Sequence, residues 1–325
     1  MNSVLKYSFI TLLILVLVES LFWGIQYSRG NSNGFLIHFE NKKNEIQKVA
    51  YCETDALLGW SIARFGHFKE QNGDIVLTNS PEDTHSILIY ISGGSTSDLM
   101  YDSLNWPRFL FEKCKEKKIP VTIRIAAVAG YNSGQELLKL ISSDALKPDI
   151  HISYSGANEV EHPDYVSLYE SEIFYDKFKQ KTSFLLPNTI GFLKGLNNSK
   201  TTLKQRDLQD AFQFWKTNMN KMNQLAIGGN YTFFAVLQPV AGFRNKLPKE
   251  MPVGAKKYTK KYPLFYKKAV IQAKKEAYFI DLTDIFENEN VAVFKDDCHL
   301  KQKKEQQKIA DEIFKLCLSN LAKNQ

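Results

Sequence analysis

Apolar residues along this chain follow two alternating patterns from residue 86 onward. Continuous apolar runs of five to eight residues, typical of strands buried on both faces, occupy residues 86–92, 121–128, 149–153, 231–237 and 278–282. Apolar residues at helical spacing occupy residues 107–117, 133–143, 204–225, 262–275 and 303–318. Because these strands alternate with helices of ten or more residues, the pattern predicts a parallel β-sheet covered by helices on both faces.

The N-terminal residues have a pattern of a different kind. Residues 7–25 form one apolar stretch of 19 residues with a single carboxyl group, Glu19. At about 1.5 Å per residue, a helix of this length just spans a hydrocarbon core of roughly 30 Å. Phe22 and Trp23 lie near one end, where aromatic side chains favour the membrane interface. We therefore predict an uncleaved membrane anchor within residues 1–25; the alternative, a cleaved signal peptide, usually has a shorter apolar region that ends in small residues.

These patterns predict three parts in the chain. They are a membrane anchor in residues 1–25, a linker with an N-terminal extension in residues 26–82, and the main α/β domain in residues 83–325. Lys6 precedes the apolar stretch, and the first basic residue after it is Arg29. This slight bias predicts a single-pass membrane protein whose main domain lies on the extracytoplasmic side.

Composition excludes some classes of protein. Hydrophobic residues make up 44% of the chain and charged residues 24%, which excludes a mainly disordered chain. The net charge is +7, with lysines concentrated in residues 256–275 and 301–308. Since no nucleic-acid motif accompanies these lysines, we interpret them as solvated helix faces and expect no nucleic-acid partner. The cysteines form no CxxC pair, so no structural zinc site is expected and disulfides are permitted but not required; they are Cys52, Cys114, Cys298 and Cys317.

A serine follows the first predicted strand. Ligands of parallel α/β sheets bind beyond the carboxyl ends of the strands, so the residues after each strand are the candidates for chemistry. Gly93-Gly94-Ser95 has two glycines, which allow a sharp turn that exposes the Ser95 hydroxyl at the start of a helix. Backbone N–H groups at such a position can stabilise an oxyanion. A phosphate-binding or capping turn is the alternative for this segment.

Two further strand ends carry hydrogen-bond donors. Gly130 follows the second strand and offers an unobstructed backbone N–H to an oxyanion, although a plain strand-to-helix turn would also use a glycine here. Asn158 follows the third strand, where its side-chain amide can donate a second hydrogen bond to an oxyanion. As an alternative, asparagine is a common loop residue.

A histidine with neighbouring carboxylates precedes the last predicted helix, in the segment Asp296-Asp297-Cys298-His299. Asp296 and His299 are three residues apart, so one turn of the chain can bring both side chains together. A nucleophilic serine needs a base, and the base needs an orienting carboxylate. Asp296 has this orienting role in the favoured interpretation and Asp297 in the alternative; a metal site or a helix cap would use the same residue types.

The four blocks in this order, Ser, Gly, Asn and then Asp-x-x-His, resemble the SGNH (GDSL-like) hydrolase superfamily over most of the chain. The resemblance implies a flavodoxin-like three-layer α/β/α domain with a central parallel sheet. It also implies that Ser95 is the nucleophile, that His299 is the general base and that Asp296 orients His299. The implied oxyanion hole consists of the N–H groups of Ser95 and Gly130 with the Asn158 side chain. No metal or organic cofactor is implied.

Some positions depart from the superfamily pattern or extend it. The usual Gly-Asp-Ser is Gly-Gly-Ser here, and the usual Gly-x-Asn-Asp ends in Glu159. Gln238-Pro239, after the fourth strand, resembles a segment common in the superfamily, and we expect it near the substrate pocket without a catalytic role. Three aromatic residues near the predicted pocket rim would either stack on a sugar or belong to the core; they are Trp106, Tyr131 and Tyr154.

The expected function is therefore that of a serine esterase or deacylase acting on an acylated small molecule, glycan or lipid. The Gly-Gly-Ser form with an N-terminal anchor resembles bacterial members that act at the cell envelope, often on acylated glycans. Two alternatives remain open at this point. One is an O-acyltransferase that uses the same triad, and the other is a non-catalytic carbohydrate-binding protein of the envelope.

Overall fold

The structure, a computed structural model, describes residues 52–55, 58–80, 86–143, 147–161, 208–251 and 253–321. Contacts divide the chain into two compact units, one of Met1–Thr54 with Ser171–Gln205 and one of Asp55–Glu170 with Arg206–Gln325. The first unit lies almost entirely outside the described residues, and the second contains the candidate site. The predicted anchor, residues 7–25, also lies outside the described residues; within them, no helix combines the length and the apolar content needed to cross a membrane.

The described residues contain strands and helices in the alternating order that the sequence predicts. The strands are β1 Cys52–Asp55, β2 Gly59–Ile62, β3 Lys69–Gln71, β4 Asp74–Thr78, β5 Ile87–Gly93, β6 Val121–Ile125, β7 Ile150–Ser155, β8 Thr232–Leu237 and β9 Phe279–Asp281. The helices are α1 Trp106–Glu116, α2 Ser133–Ser142, α3 Ala157–Glu161, α4 Leu208–Gly229, α5 Val253–Thr259, α6 Tyr262–Ala273 and α7 Lys303–Leu321. The five strands and five helices predicted from residue 86 onward are each present at the expected place in the described part of the chain.

Strands β3 to β9 form a seven-stranded sheet in the order β3-β4-β6-β5-β7-β8-β9. Strands β6, β5, β7, β8 and β9 run parallel, and numbered along the chain their order is 2-1-3-4-5, which is the order of flavodoxin-like folds. Strands β3 and β4 are antiparallel at one edge, where β4 pairs with β6. The predicted parallel sheet is therefore present as the central five strands, and the antiparallel edge, which was not predicted, makes this an α/β fold with a mixed sheet.

The antiparallel edge has a local cause. Asn72 and Gly73 connect β3 to β4 with backbone φ angles of 54° and 76°, as a two-residue hairpin turn requires. Eight residues, 79–86, separate β4 from β5, which are too few for the crossover that parallel strands need. Residues 69–78, which the sequence analysis assigned to an N-terminal extension, thus belong to the same sheet as the candidate site.

The helices pack in two groups on this sheet. Helix α4 contacts both α2 and α6, and Tyr90 and Ala235 of the sheet join Trp215 of α4 in the core beneath them. Because side chains alternate along a strand, Ile89 points to the opposite face. There α1 packs against β6 and α7. The five parallel strands therefore lie between two helical layers, whereas the edge strand β3 exposes its polar residues along its whole length.

Parallel pairing places the candidate segments at one edge of the sheet. The register pairs Gly93, the last residue of β5, with Tyr154 near the end of β7. Beyond β6, the Val128 N–H donates to the Gly93 carbonyl at 3.2 Å. The segments that follow β5, β6 and β7 therefore start side by side.

Candidate active site

Ser95 lies in a tight turn directly after β5. The Ser97 N–H donates to the Gly94 carbonyl at 3.0 Å, which closes the turn around Ser95. A Cβ atom on Gly94 would lie 2.3 Å from Asn158 Nδ2, so the absence of a side chain at Gly94 lets the Asn158 amide approach the backbone. The Ser95 side chain is largely buried beside these groups.

No helix begins at Ser95, in contrast to the prediction. Residues 94–104 form turns and bends, and α1 begins at Trp106. The carbonyls of Ser95 and Asp98 each accept a hydrogen bond from the Asn105 side-chain amide at 2.8 Å. A side-chain donor therefore replaces the backbone donors that a helix would use, and it keeps this segment in a loop.

His299 connects Ser95 to Asp296. Its Nε2 atom lies 2.7 Å from Ser95 Oγ, and its Nδ1 atom lies 2.8 and 3.0 Å from the two Asp296 carboxylate oxygens. The backbone N–H groups of Cys298 and His299 donate to the same carboxylate at 3.0 and 2.7 Å. Burial alone would raise the pKa of Asp296, but these hydrogen bonds and the attraction of His299 outweigh burial and hold the pKa below its usual value. An ionised Asp296 favours the proton on Nδ1, which leaves Nε2 to accept the Ser95 proton.

The alternative carboxylate, Asp297, does not contact the histidine ring in this way. It is buried, and its Oδ2 atom accepts a hydrogen bond from the Tyr262 hydroxyl at 2.5 Å. The structure therefore brings Asp296, rather than Asp297, to Nδ1 of His299.

Gly130 lies in the turn that follows β6. The Tyr131 N–H donates to the Val128 carbonyl at 3.0 Å, and Gly130 has a φ angle of 86°, so this is a turn that requires glycine at its third position. The Ala129 N–H donates to Asp98 Oδ2 at 2.9 Å, which connects this turn to the loop of Ser95. The turn thus needs a glycine for its conformation, and it lies beside the serine loop.

Asn158 belongs to the short helix α3, directly after β7. Its Nδ2 atom donates to the Tyr131 carbonyl at 2.6 Å. An amide nitrogen carries two hydrogens, and this bond uses one of them. Because the same nitrogen lies against Gly94, Asn158 contacts both the serine turn and the turn of Gly130.

Glu159 occupies the position where the superfamily pattern has an aspartate. Its Oε1 atom accepts the Ser133 N–H at 2.6 Å, and its Oε2 atom accepts the Gly156 N–H at 3.2 Å. Ser133 is the first residue of α2, where the helix dipole favours a carboxylate. Burial raises the pKa of Glu159, and these hydrogen bonds oppose the rise. The glutamate thus connects the start of α2, which follows the turn of Gly130, to the start of α3, which carries Asn158.

Tyr101 is a neighbour of the histidine that the sequence analysis missed. Its ring stacks on the His299 ring, with centroids 4.8 Å apart and planes inclined by 22°. The side chain is 45% exposed, so it covers His299 on the solvent side. Burial and nearby acids raise the pKa of Tyr101 to about 12, which keeps the phenol neutral. No local pattern marks this tyrosine, because it comes from an irregular loop.

The aromatic residues expected near the pocket rim are core residues. Trp106, Tyr131 and Tyr154 are each at most 3% exposed, so the interpretation as a sugar-stacking surface is wrong for all three.

Gln238 is also buried, and its Oε1 atom accepts a hydrogen bond from the hydroxyl of Thr96, the residue after the serine, at 3.1 Å. Gln238 thus lies beside the serine turn, and its place near a substrate pocket stays a prediction.

Two groups in the described residues bring three potential donor atoms within 4.8 Å of one another. One consists of Asp296, Cys298 and His299, and the other of Glu161, Asp297 and Cys298. In both groups the carboxylates already accept hydrogen bonds from protein donors. We assign neither group a metal ion or an organic cofactor.

Comparisons with known proteins add the following similarities. No protein-family model matches the chain, and no curated protein matches it. Among solved structures, the chain is similar to the acetyl xylan esterase AlAXEase, with 14% identity, a TM-score of 0.45 and coverage of 71% of this chain and 99% of that chain. A GDSL-like lipase from Bacteroides thetaiotaomicron gives 13% identity, a TM-score of 0.37 and coverage of 71% and 88%.

A catalytic mutant of an acetylxylan esterase from Geobacillus stearothermophilus is also similar. It shares 13% identity and a TM-score of 0.40, with coverage of 70% of this chain and 93% of that chain. These identities and TM-scores are low. The fold is therefore assigned from the strand order, and the chemistry of the site from its own geometry.

Proposed function

We propose that this chain is a serine esterase or deacylase of the SGNH hydrolase type, with Ser95 as the nucleophile, His299 as the general base and Asp296 orienting the base. The observation that carries the proposal is the contact of 2.7 Å between His299 Nε2 and Ser95 Oγ. A serine hydroxyl is a weak nucleophile until a base removes its proton. Here the base lies within hydrogen-bond reach and is itself bonded to a carboxylate at 2.8 Å.

The reaction follows two acyl-transfer steps. His299 takes the Ser95 proton while Oγ attacks the ester carbonyl, and it then donates this proton to the leaving alcohol, which leaves an acyl group on Ser95. In the second step His299 takes a proton from water, the hydroxide attacks the acyl group, and Ser95 departs with the proton. Asp296 stays ionised in both steps and stabilises the imidazolium.

The negative charge on the carbonyl oxygen needs hydrogen-bond donors. We assign this role to the N–H groups of Ser95 and Gly130 and to Nδ2 of Asn158. Support comes from the position of Nδ2 against Gly94, next to the nucleophile, and from its second hydrogen. Donors that are already in place act without reorganisation, and losing one of them costs roughly 10²- to 10³-fold in rate.

The proposed substrate is an O-acyl group on a glycan or lipid of the cell envelope. We further propose a single-pass membrane protein with the site on the extracytoplasmic side. The support is the apolar stretch of residues 7–25 and the resemblance of the Gly-Gly-Ser form to envelope members of the superfamily. A protein that only binds carbohydrate would gain nothing from a hydrogen-bonded chain of serine, histidine and aspartate.

A fluorophosphonate probe tests the nucleophile directly, because it reacts with activated serines. Full-length protein should be labelled and should hydrolyse p-nitrophenyl acetate, and Ser95→Ala should lose both properties. The expected fall in kcat is roughly 10⁴-fold or more, with a residual rate from the remaining donors. Ser103→Ala removes an exposed serine from the same loop and is the matched control, which should keep its label.

Other outcomes decide against the proposal. A label that persists in Ser95→Ala would identify a different nucleophile. Well-folded wild-type protein that neither takes the label nor hydrolyses esters would favour the binding role. A separate assay identifies the substrate class. It compares kcat/KM for acyl release from an acetylated glycan, an acylated lipid and p-nitrophenyl acetate.

A further inference from the structure

A buried polar cluster lies against the loop that carries the proposed base. The Tyr262 hydroxyl lies 2.9 Å from Glu161 Oε1 and 2.5 Å from Asp297 Oδ2. A carboxyl oxygen of Glu161 also lies within 4.8 Å of one of Asp297. Tyr262 is fully buried and Asp297 is 7% exposed. Glu161 is partly exposed, so its carboxyl group meets that of Asp297 at the edge of the buried region.

The hydrogen bonds of this cluster need more protons than Tyr262 can supply. A phenol has one hydrogen, so Tyr262 can donate fully to only one of the two carboxyl groups. The contact between the two carboxyl groups needs a proton as well, because two ionised carboxylates repel each other in a buried site. A single proton on Glu161 that is donated to Asp297 meets this need, and in this sense the two groups share it.

The carboxyl pair connects two parts of the proposed active site. Glu161 is the last residue of α3, three residues after Asn158 of the same short helix. Asp297 directly follows Asp296 and lies two residues before His299. The contact between Glu161 and Asp297 thus joins the helix of the oxyanion-hole amide to the loop of the base.

We propose that the proton shared by Glu161 and Asp297 holds the Asp296–His299 loop against α3, and that loss of this proton inactivates the site at alkaline pH. The inference rests on the proposed function, since it assigns a control of that same site. Glu161 and Asp297 are positioning residues, which act through Asn158 and His299.

The direction of the pH effect follows from the surroundings of Glu161. Burial, together with the charge of Asp297, raises the pKa of Glu161 to about 8, so the group is protonated at neutral pH. The titratable groups that face it are acids, phenols and a thiol; they are Asp296, Asp297, Cys298, Tyr101, Tyr262 and Tyr266. The two aspartates disfavour the ionised form of Glu161, whereas the hydrogen bond from Tyr262 favours it. Because the pKa is raised on folding, the stability that the protonated pair provides is complete at low pH and is lost as the pH rises through about 8.

Glu161→Gln keeps the shape of the side chain and removes its ability to lose a proton, so it tests the role of the proton alone. Glutamine keeps an N–H donor for Asp297 and cannot ionise, so kcat of the full-length variant at neutral pH should stay within about threefold of wild type. Wild-type kcat should fall as the pH rises above about 8, and the variant should keep its activity there. Glu136→Gln is the matched control, since Glu136 of α2 is a buried glutamate with its pKa raised to about 7 and it lies outside the carboxyl pair. Its alkaline profile should equal that of wild type.

Tyr262→Phe gives a second test, in which the pH of the alkaline fall in kcat should shift. The Tyr262 hydroxyl stabilises the ionised form of Glu161 and so lowers its pKa. Removing the hydroxyl should therefore move the alkaline fall in kcat to higher pH without abolishing it. Infrared spectroscopy detects the proton independently of activity: a carbonyl band of a protonated carboxyl group should disappear from wild type above about pH 8, and Glu161→Gln should lack this change.

The outcomes distinguish the inference from the proposed function. If hydrolysis depends on Ser95 but the alkaline profiles of wild type and Glu161→Gln coincide, the inference is wrong and the function stands. If Glu161→Gln does not fold, an unshifted profile in Tyr262→Phe together with no titrating band overturns the inference. Wild-type protein without Ser95-dependent hydrolysis refutes the function and the positioning role with it, while the infrared band still decides whether the carboxyl pair holds a proton.

Discussion

Asp296→Asn changes one atom of the site and reverses its hydrogen-bond pattern. In the wild type, Asp296 Oδ1 accepts the backbone N–H groups of Cys298 and His299 at 3.0 and 2.7 Å, and Oδ2 lies 2.8 Å from His299 Nδ1. The two backbone donors select the asparagine oxygen for the Oδ1 position, so the NH₂ group faces Nδ1. Nδ1 must then accept a hydrogen bond, which moves the ring proton to Nε2.

The size of the effect follows from this change of tautomer. With its proton on Nε2, His299 cannot accept the Ser95 proton across the contact of 2.7 Å. In a serine protease triad the same substitution lowers kcat about 10⁴-fold, which is about 5.4 kcal/mol at about 1.36 kcal/mol per factor of ten. We expect a loss of this size. The free energy of unfolding should change little, because the amide oxygen keeps the backbone hydrogen bonds.

The assay compares kcat for a soluble ester with the thermal unfolding of the same preparations. Asp102→Asn is the matched control, since Asp102 is a partly exposed carboxylate of the neighbouring loop, paired with Lys295 at 3.6 Å. Its kcat should stay within about twofold of wild type, as expected for the loss of an exposed ion pair. An Asp296→Asn variant that keeps more than about a tenth of the wild-type kcat would refute the orienting role.

Two further predictions concern the serine turn and the sheet. Gly94→Ala places a methyl group 2.3 Å from the present position of Asn158 Nδ2, so the amide has to move. We expect kcat to fall about 100-fold with little change in melting temperature. An unchanged kcat would show that Asn158 does not belong to the oxyanion hole. Asp74→Ala leaves Arg124 and Lys139, now 2.5 and 3.2 Å from the buried carboxylate, without their counter-charge. Urea unfolding should show a loss of about 3–5 kcal/mol, and a loss below about 1 kcal/mol would contradict this account of the pair.

The positions of the strands and helices from residue 86 onward could be predicted because their causes are local. A strand covered on both faces must be apolar at nearly every position, and a helix that covers a sheet needs one apolar face. Parallel strands then align their carboxyl ends, so Ser95, Gly130 and Asn158 could be expected at one edge although they are far apart in the chain. The structure places all three there.

Local reasoning failed where the backbone direction depends on packing or on a turn. The hairpin at Asn72 and Gly73 makes the edge of the sheet antiparallel, although this dipeptide is a turn signal that the sequence displays. Ser95 does not begin a helix, because the Asn105 amide occupies the nearby carbonyls. Trp106 is completely buried, because its side chain at the start of α1 faces the core rather than the surface.

The sequence by itself determined which chemical groups follow each strand: a serine after glycines, a glycine, an asparagine and an aspartate three residues before a histidine. Only the tertiary structure decided between the neighbouring carboxylates Asp296 and Asp297, because their directions depend on His299 on one side and on Tyr262 on the other. The same holds for the contact of Glu161 with Tyr262, which come from separate helices and meet only where α3 and α6 pack. Distances of 3 Å or less between such residues depend on how whole elements pack, and no local pattern of the chain encodes them.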